Sequence, residues 1–149
     1  MEFRLATRDD VPAVLALLAD DPITRARGFG AVEPGPGIWA AFDAIEKDPN
    51  NELIIGVRDG AVAGTCQLTY LPGLSRGGAW RMQVEAVRIR SDLRGSGHGA
   101  ALMRWAIERA RERGCEMVQL TSDNKRTAAH RFYERLGFTS SHVGMKLTL

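Results

Sequence analysis

The stretch Arg94-Gly95-Ser96-Gly97-His98-Gly99-Ala100 decides how this 149-residue chain is read, because three of its 16 glycines fall within five residues there. Before it, the residues around Trp80 to Ile89 read as a strand. After it comes the best helix pattern in the chain, roughly Gly97 to Arg113. Leu102, Met103, Ala106, Ile107 and Ala110 share one face of that helix, and Arg104, Glu108, Arg111 and Glu112 share the other. Gly114 is a natural stop. Glycines between a strand and a helix let the backbone approach a ligand closely, and the first N–H groups of the helix have no internal partners. With the helix dipole, those groups make an anion site suited to a pyrophosphate, to which Arg94 adds a charge-assisted contact. The same residues also fit a plain tight turn, and the local sequence leaves both readings open.

Working outward, Phe3 to Ala6 reads as a short strand. Asp9 or Asp10 then caps a helix with Pro12 in its first turn and an apolar stripe of Val14, Leu15, Leu17 and Leu18. Pro22 to Gly37 is rich in glycine and proline and reads as a loop, interrupted at most by a helical turn. Ile38 to Glu46 is a second short helix. Leu53 to Val57 and Ala61 to Leu71 flank Asp59-Gly60, a two-residue hairpin turn. Beyond the long helix, Glu116 to Thr121 returns as a strand and Thr127 to Leu136 as a helix closed by Gly137. Val143, Met145, Leu147 and Leu149 then alternate with the period of a strand that buries one face. The order is β-α-α-β-β-β-α-β-α-β. It predicts one α/β domain over residues 1–149, a mixed sheet flanked by helices in which an antiparallel hairpin feeds a βαβ unit. Such sheets bind ligands outside the carboxyl ends of their strands, where the glycine cluster falls.

Composition bounds the function. The chain is 44% hydrophobic and 26% charged, and its net charge of +2 is too small for a nucleic-acid footprint. Cys66 and Cys115 are too few for a disulfide framework and lack a CxxC spacing. No apolar run approaches the roughly 20 residues of a membrane helix, and Met1-Glu2-Phe3-Arg4 lacks a signal-peptide layout. The expectation is a reduced, cytoplasmic protein with no nucleic-acid or membrane partner. His98, His130 and His142 are scattered, with no paired carboxylates nearby, and no metal site is legible.

Three phosphate-binding patterns compete for the glycine cluster. A P-loop needs Gly-Lys-Ser/Thr, and Gly99-Ala100-Ala101 stands there instead. Gly95, Gly97 and Ala100 satisfy the dinucleotide GxGxxG/A spacing, but too little chain follows for a second mononucleotide half. In the third, Arg94, Gly97 and Gly99 meet the Arg/Gln-x-x-Gly-x-Gly/Ala signature of the Gcn5-related N-acetyltransferase (GNAT) superfamily. Its second motif follows at Ala129-His130-Arg131-Phe132-Tyr133-Glu134-Arg135-Leu136-Gly137-Phe138. The chain resembles this family over nearly its whole length, since the family's order of elements matches the derived one.

The resemblance implies direct transfer of an acetyl group from acetyl-CoA to an amine. It implies that Arg94, Gly95, Ser96, Gly97, His98, Gly99 and Ala100 hold the cofactor's pyrophosphate, and that the backbone of Val87, Arg88 and Ile89 receives the thioester oxygen. Tyr133 matches the family's general acid, a phenol protonated at neutral pH that donates towards the departing sulfur; its ordinary alternative is a core aromatic beside Phe132 and Phe138. Glu85, nine residues before Arg94, matches a glutamate of some small-amine and aminosugar acetyltransferases and is the candidate base, acting through water. Simple alternation puts it on the strand face of Val87 and Ile89, unless a bulge intervenes. The family's pantetheine-binding asparagine, seven residues before the tyrosine, is Arg126 here, which moves that contact to Asn124; Thr121 replaces the glutamate of ribosomal-protein acetyltransferases.

The acceptor should be set by Thr24 to Ile38 and by Leu74 to Gln83, where Arg76, Trp80, Arg81 and Gln83 stand; two guanidiniums suit a carboxylate, phosphate or phosphonate. The C-terminal third, with Lys125-Arg126 and Ser141-His142, is also similar to bacterial aminoalkylphosphonate N-acetyltransferases. The expected activity is acetylation of the primary amine of a small molecule, and the resemblance admits a homodimer. The rivals are a protein or peptide N-acetyltransferase and a non-catalytic acyl-CoA sensor.

Overall fold

Asp59 and Gly60 both take positive φ, 51° and 75°, which matches the twist of the strands they join. β2 (Asn51–Arg58) and β3 (Ala61–Leu71) therefore pair antiparallel across this turn. β1 (Glu2–Leu5) adds to β2, and β4 (Trp80–Ile89) to β3, both antiparallel. α4 (His98–Glu112) then carries the chain to β5 (Cys115–Leu120), the neighbour of β4, so that the five strands lie in the order β1-β2-β3-β4-β5. A helical crossover between neighbouring strands returns the chain parallel, and the sheet is mixed. Gln119 Nε2 donates to Gln83 Oε1 at 2.7 Å across the last pair. The computed structural model describes residues 1–26, 28 and 33–149, in two compact units, Met1–Gln119 and Leu120–Leu149.

Each face of the sheet has its own cover. On one, Gly64 stands opposite Ile89, Leu68 opposite Val84 and Tyr70 opposite Met82. The apolar side chains of this face are buried, as are Leu102, Met103, Ala106 and Ala110 of α4. α4 is fastened there by the buried Glu52 carboxylate. It accepts from Arg109 Nη2 at 2.8 Å, from Arg109 Nε at 3.1 Å and from the Tyr70 hydroxyl at 2.9 Å. Burial pushes this carboxyl's pKa up, but the hydrogen bonds outweigh it and leave the pKa below the usual range. On the other face, Leu53 packs with Val11, Leu15 and Leu18 of α1 (Val11–Ala19) and with Ile38, Trp39 and Phe42 of α3 (Pro36–Lys47). Asp10 precedes α1, accepting from Thr7 N at 2.8 Å and from Arg4 at 2.7 and 3.0 Å; the Arg4 guanidinium holds its carboxyl at about 2. The expected Pro22 to Gly37 loop contains a five-residue helix, α2 (Pro22–Ala26), capped by Asp21 Oδ2, which accepts from Thr24 N at 3.1 Å.

β4 carries one residue too many. Thr65 stands opposite Arg88 and Gln67 opposite Glu85, so Cys66 faces both Ala86 and Val87, a β-bulge. Ala86 takes a φ of 53°, a region that favours glycine. The bulge breaks the alternation expected from the sequence: Glu85 shares its face with Arg88, not with Ile89. Opposite the bulge, Cys66 is fully buried and its thiol is pushed up to about 12 by burial.

In the C-terminal unit, α5 (Thr127–Arg135) ends at Leu136 and Gly137, the latter at φ 94°, and Phe138 N returns to Tyr133 O at 3.1 Å. The strand expected over Val143 to Leu149 is not formed. A period-2 pattern records that a segment is suited to pairing, but a strand exists only beside a partner. Val143, Met145, Leu147 and Leu149 stand 86–112% exposed. Among the described residues, no helix is long and apolar enough to cross a membrane.

Because an L-residue in the left-handed region costs roughly 1–2 kcal/mol, Ala86→Gly is expected to stabilise the protein by about 1 kcal/mol. The check is a rise in the urea midpoint at unchanged m-value.

Candidate active site

The chain leaves β4 through a single helical turn, Ser91–Leu93, and enters α4 through Arg94-Gly95-Ser96-Gly97. Gly95 and Gly97 take φ of 79° and 84°, and a Cβ at either would project into open space. Gly97 is the N-cap of α4 and supplies no side-chain cap, so the first N–H groups of the helix have neither an intrahelical nor a capping acceptor. A backbone bend without side chains, open space above it and uncapped amides fit a pyrophosphate.

Arg94 is engaged within the protein, beside the loop the sequence assigns to the pyrophosphate. Its Nε donates to Ile89 O at 2.9 Å, and its Nη2 donates to Asp20 O at 3.0 Å and Asp20 Oδ2 at 2.8 Å. The side chain ties the end of β4 to the end of α1 and fixes where the glycine loop starts. Arg88 works in parallel, donating from Nη2 to Asp21 Oδ2 at 3.1 Å and Thr24 Oγ1 at 3.3 Å, and from Nη1 to Val87 O at 2.8 Å. The Val87–Ile89 backbone is thus held by arginine side chains at Val87 O and Ile89 O. His98, in the first turn of α4, is met by Arg58, whose Nη1 lies 2.5 Å from its Nε2.

Glu85 is exposed and makes no hydrogen bond or ion pair among the described residues. Its neighbours across the ladder are polar: Asn51 Oδ1 accepts from Thr69 Oγ1 at 2.9 Å and from Gln67 Nε2 at 3.3 Å, and Gln67 is Glu85's partner. A free carboxylate on a central strand is tolerated because Glu85 itself is exposed to water.

Tyr133 lies in the C-terminal unit, where its ring meets Phe132 at 5.1 Å and Phe138 at 5.8 Å, both edge-on. The aromatic packing that was the alternative for this residue is therefore present. Asn124 is exposed in a turn built by Asp123, whose Oδ1 accepts from Lys125 N at 2.9 Å and whose carbonyl accepts from Arg126 N at 2.9 Å. His130 Nε2 lies 3.0 Å from the same carbonyl, and His142 Nδ1 lies 2.7 Å from Ser141 Oγ.

Of the two acceptor segments, Thr24 to Ile38 includes residues 27 and 29–32, which lie outside the described residues. The other lines a small cavity of about 90 Å³, formed by Ser75, Arg76, Ala79, Trp80 and Arg81 with Glu116 and Met117. That volume is well below the roughly 300 Å³ at which ligand pockets begin. Sequence reasoning missed Asp20, Asp21, Arg58 and Ala86. Asp21-Pro22 with Thr24 is a legible N-cap signal, whereas nothing in the sequence marks Ala86 as the bulge.

Comparison with known proteins places this geometry. The acetyltransferase (GNAT) family model matches residues 16–138, and the chain belongs to that family. It is 32% identical to the aminoalkylphosphonate N-acetyltransferase of Salmonella typhimurium over 95% of its own length and 86% of that protein. It is 36% identical to the glucosamine 6-phosphate N-acetyltransferase of Trypanosoma brucei brucei, over 60% of this chain and 59% of that one. A solved structure, described as a transcriptional regulator from Bacillus halodurans C-125, is 43% identical and superposes with a TM-score of 0.94 over 99% of both chains. The chain is an N-acetyltransferase.

If the uncapped amides of α4 hold the pyrophosphate, Gly97→Asp will weaken CoA binding at least about tenfold, because a carboxylate would stand at the anion site on a backbone with φ of 84°. Titration calorimetry decides it, and unchanged affinity would remove the cradle.

Proposed function

We propose that the protein transfers the acetyl group of acetyl-CoA directly to the primary amine of a small molecule. The observation that carries this reading is the uncapped, glycine-framed start of α4, placed directly after a bulged strand that presents an unpaired carboxylate, Glu85. The cradle binds the pyrophosphate through backbone N–H groups. The bulge leaves a residue of β4 out of the regular ladder, and backbone N–H groups of Val87–Ile89 receive the charge that develops on the thioester oxygen. An alkylamine has a pKa of about 10 and must lose a proton to attack. Glu85 accepts that proton through water, since a carboxylate is too weak a base for direct abstraction. Tyr133 gives a proton to the departing sulfur, a role resting on the Phe132-Tyr133-Glu134 motif around it.

A small acceptor is favoured by the named activities of the two curated relatives, one on an aminoalkylphosphonate and the other on a phosphorylated amino sugar. Arg76 and Arg81, near the start of β4, supply cations that suit an acceptor with such a group.

Release of free thiol from acetyl-CoA, measured against simple amines, amino acids, aminophosphonates, amino sugar phosphates and peptides, tests the reading. Turnover with a small amine is expected. Turnover with peptides alone would assign the protein to protein acetylation, and acetyl-CoA binding without turnover on any amine would make it a sensor. Tyr133→Phe is expected to lower kcat about 10- to 100-fold with acetyl-CoA affinity retained. Glu85→Gln should lower kcat by a similar factor through loss of the proton acceptor. A variant that turns over at the wild-type rate loses its assigned role.

A further inference from the structure

At Arg81 a buried guanidinium donor has no acceptor. Its Nε–H is shielded from water and unpaired, and Arg81 makes no hydrogen bond or ion pair among the described residues. An unsatisfied buried donor is costly, and more so on a charged group. Arg81 lines the small cavity at the start of β4 together with Arg76, whose Nη1 donates to Met117 Sδ at 3.7 Å. A thioether is a weak acceptor, so the second guanidinium is also poorly satisfied. Glu116, the carboxylate on the lining, is exposed and pairs with neither arginine among the described residues. Two guanidiniums against one carboxylate leave the cavity positive. Its volume of about 90 Å³ holds one anionic group and not a whole substrate.

We propose that this cavity takes the carboxylate, phosphate or phosphonate end of the acceptor, and that the acceptor is elongated, with amine and anion at opposite ends. The inference rests on the reading of Glu85 as the proton acceptor of the transfer. Arg81, Gln83 and Glu85 precede the bulge and alternate with the buried Met82 and Val84, so Arg81 and Glu85 share a strand face. Four residues of strand separate them, about 13 Å. The guanidinium lies beside the β3–β4 connection: its Nη1 is 3.6 Å from where a Cβ on Gly73 would stand. Gly73 follows Leu71, the ladder partner of Arg81 and the last residue of β3, on the side away from Glu85. An anion on Arg81 is therefore on the order of 10 Å from an amine at Glu85. A short amino acid reaches one of the two and not both.

Free-thiol release from acetyl-CoA with glycine, 4-aminobutanoate, 8-aminooctanoate and octylamine tests this. kcat/KM is expected to rise along the three acids, and 8-aminooctanoate to be preferred to octylamine. Arg81→Met lowers that preference at least about tenfold, through the KM of the acid, because charge-assisted hydrogen bonds are lost. Glu116→Gln, at an exposed position, raises it about two- to fivefold by removing a carboxylate that opposes the acid. Equal kcat/KM for acids of every length overturns the proposal, as does a preference that survives Arg81→Met or a variant that loses both long acceptors alike. If Arg81→Met does not fold, Glu116→Gln decides, and an unchanged preference overturns the proposal. A second measurement needs no turnover. 8-Aminooctanoate is expected to change the fluorescence of Trp80 saturably, read as the difference between the wild type and Trp80→Phe, and Arg81→Met to abolish the change. That signal without turnover of any amine removes the acetyl-transfer reading and supports the anion site. Absence of the signal overturns the site, whatever the turnover.

Discussion

The extra residue in β4 is the constraint on which the rest of the site depends. Either side of it the ladder is regular, with Leu68 opposite Val84 and Gly64 opposite Ile89, and those β4 side chains are buried. The strand cannot slip to expel the additional residue without turning its apolar side chains towards water. The bulge is therefore locked by the core, and the positive φ of Ala86 is the local cost. It re-aims Glu85 onto the face of Arg88 while Ile89 stays in the core. It also interrupts the ladder beside Val87, where the proposed function places the reacting carbonyl.

The arginines near the loop serve the protein before they serve a ligand. Arg94 and Arg88 run from the end of β4 to Asp20 and Asp21, adjacent residues at the end of α1, and each also holds a β4 carbonyl. Both guanidiniums are thus opposed by a carboxylate, while the amides at the start of α4 carry no side-chain cap. Under the proposed function this division suits the loop, because dipoles fixed by the fold need no side-chain ordering when an anion binds.

Most of the sheet was legible because its signals are local. Asp59-Gly60 fixes the hairpin, Pro12 and the Val14–Leu18 stripe fix α1, and the apolar face of α4 with its Gly114 stop fixes the crossover. The glycine loop was legible for the same reason. What escaped depends on tertiary pairing. Ala86 has no sequence mark, since the bulge is imposed by the strands around it. The bonds of Arg94 to Ile89 O and Asp20 were not legible, since Asp20 is 74 positions away. The alternation of Val143 to Leu149 showed a pairing tendency truly but could not supply a partner.

The two ends of α4 are built to opposite specifications. Arg109 is bound to Glu52, Arg113 lies 4.3 Å over the Tyr70 ring and donates to Pro49 O, and Leu102 to Ala110 are buried between. The other end opens on glycines and bare amides. The helix is a cantilever, embedded at its C-terminal root and loaded at its tip, about 16 Å away. The amides at the tip are already aimed, because the root fixes the beam, and under the proposed function they are what a diphosphate meets. Glu52 and Tyr70 touch nothing at the glycine loop, yet they are part of its foundation.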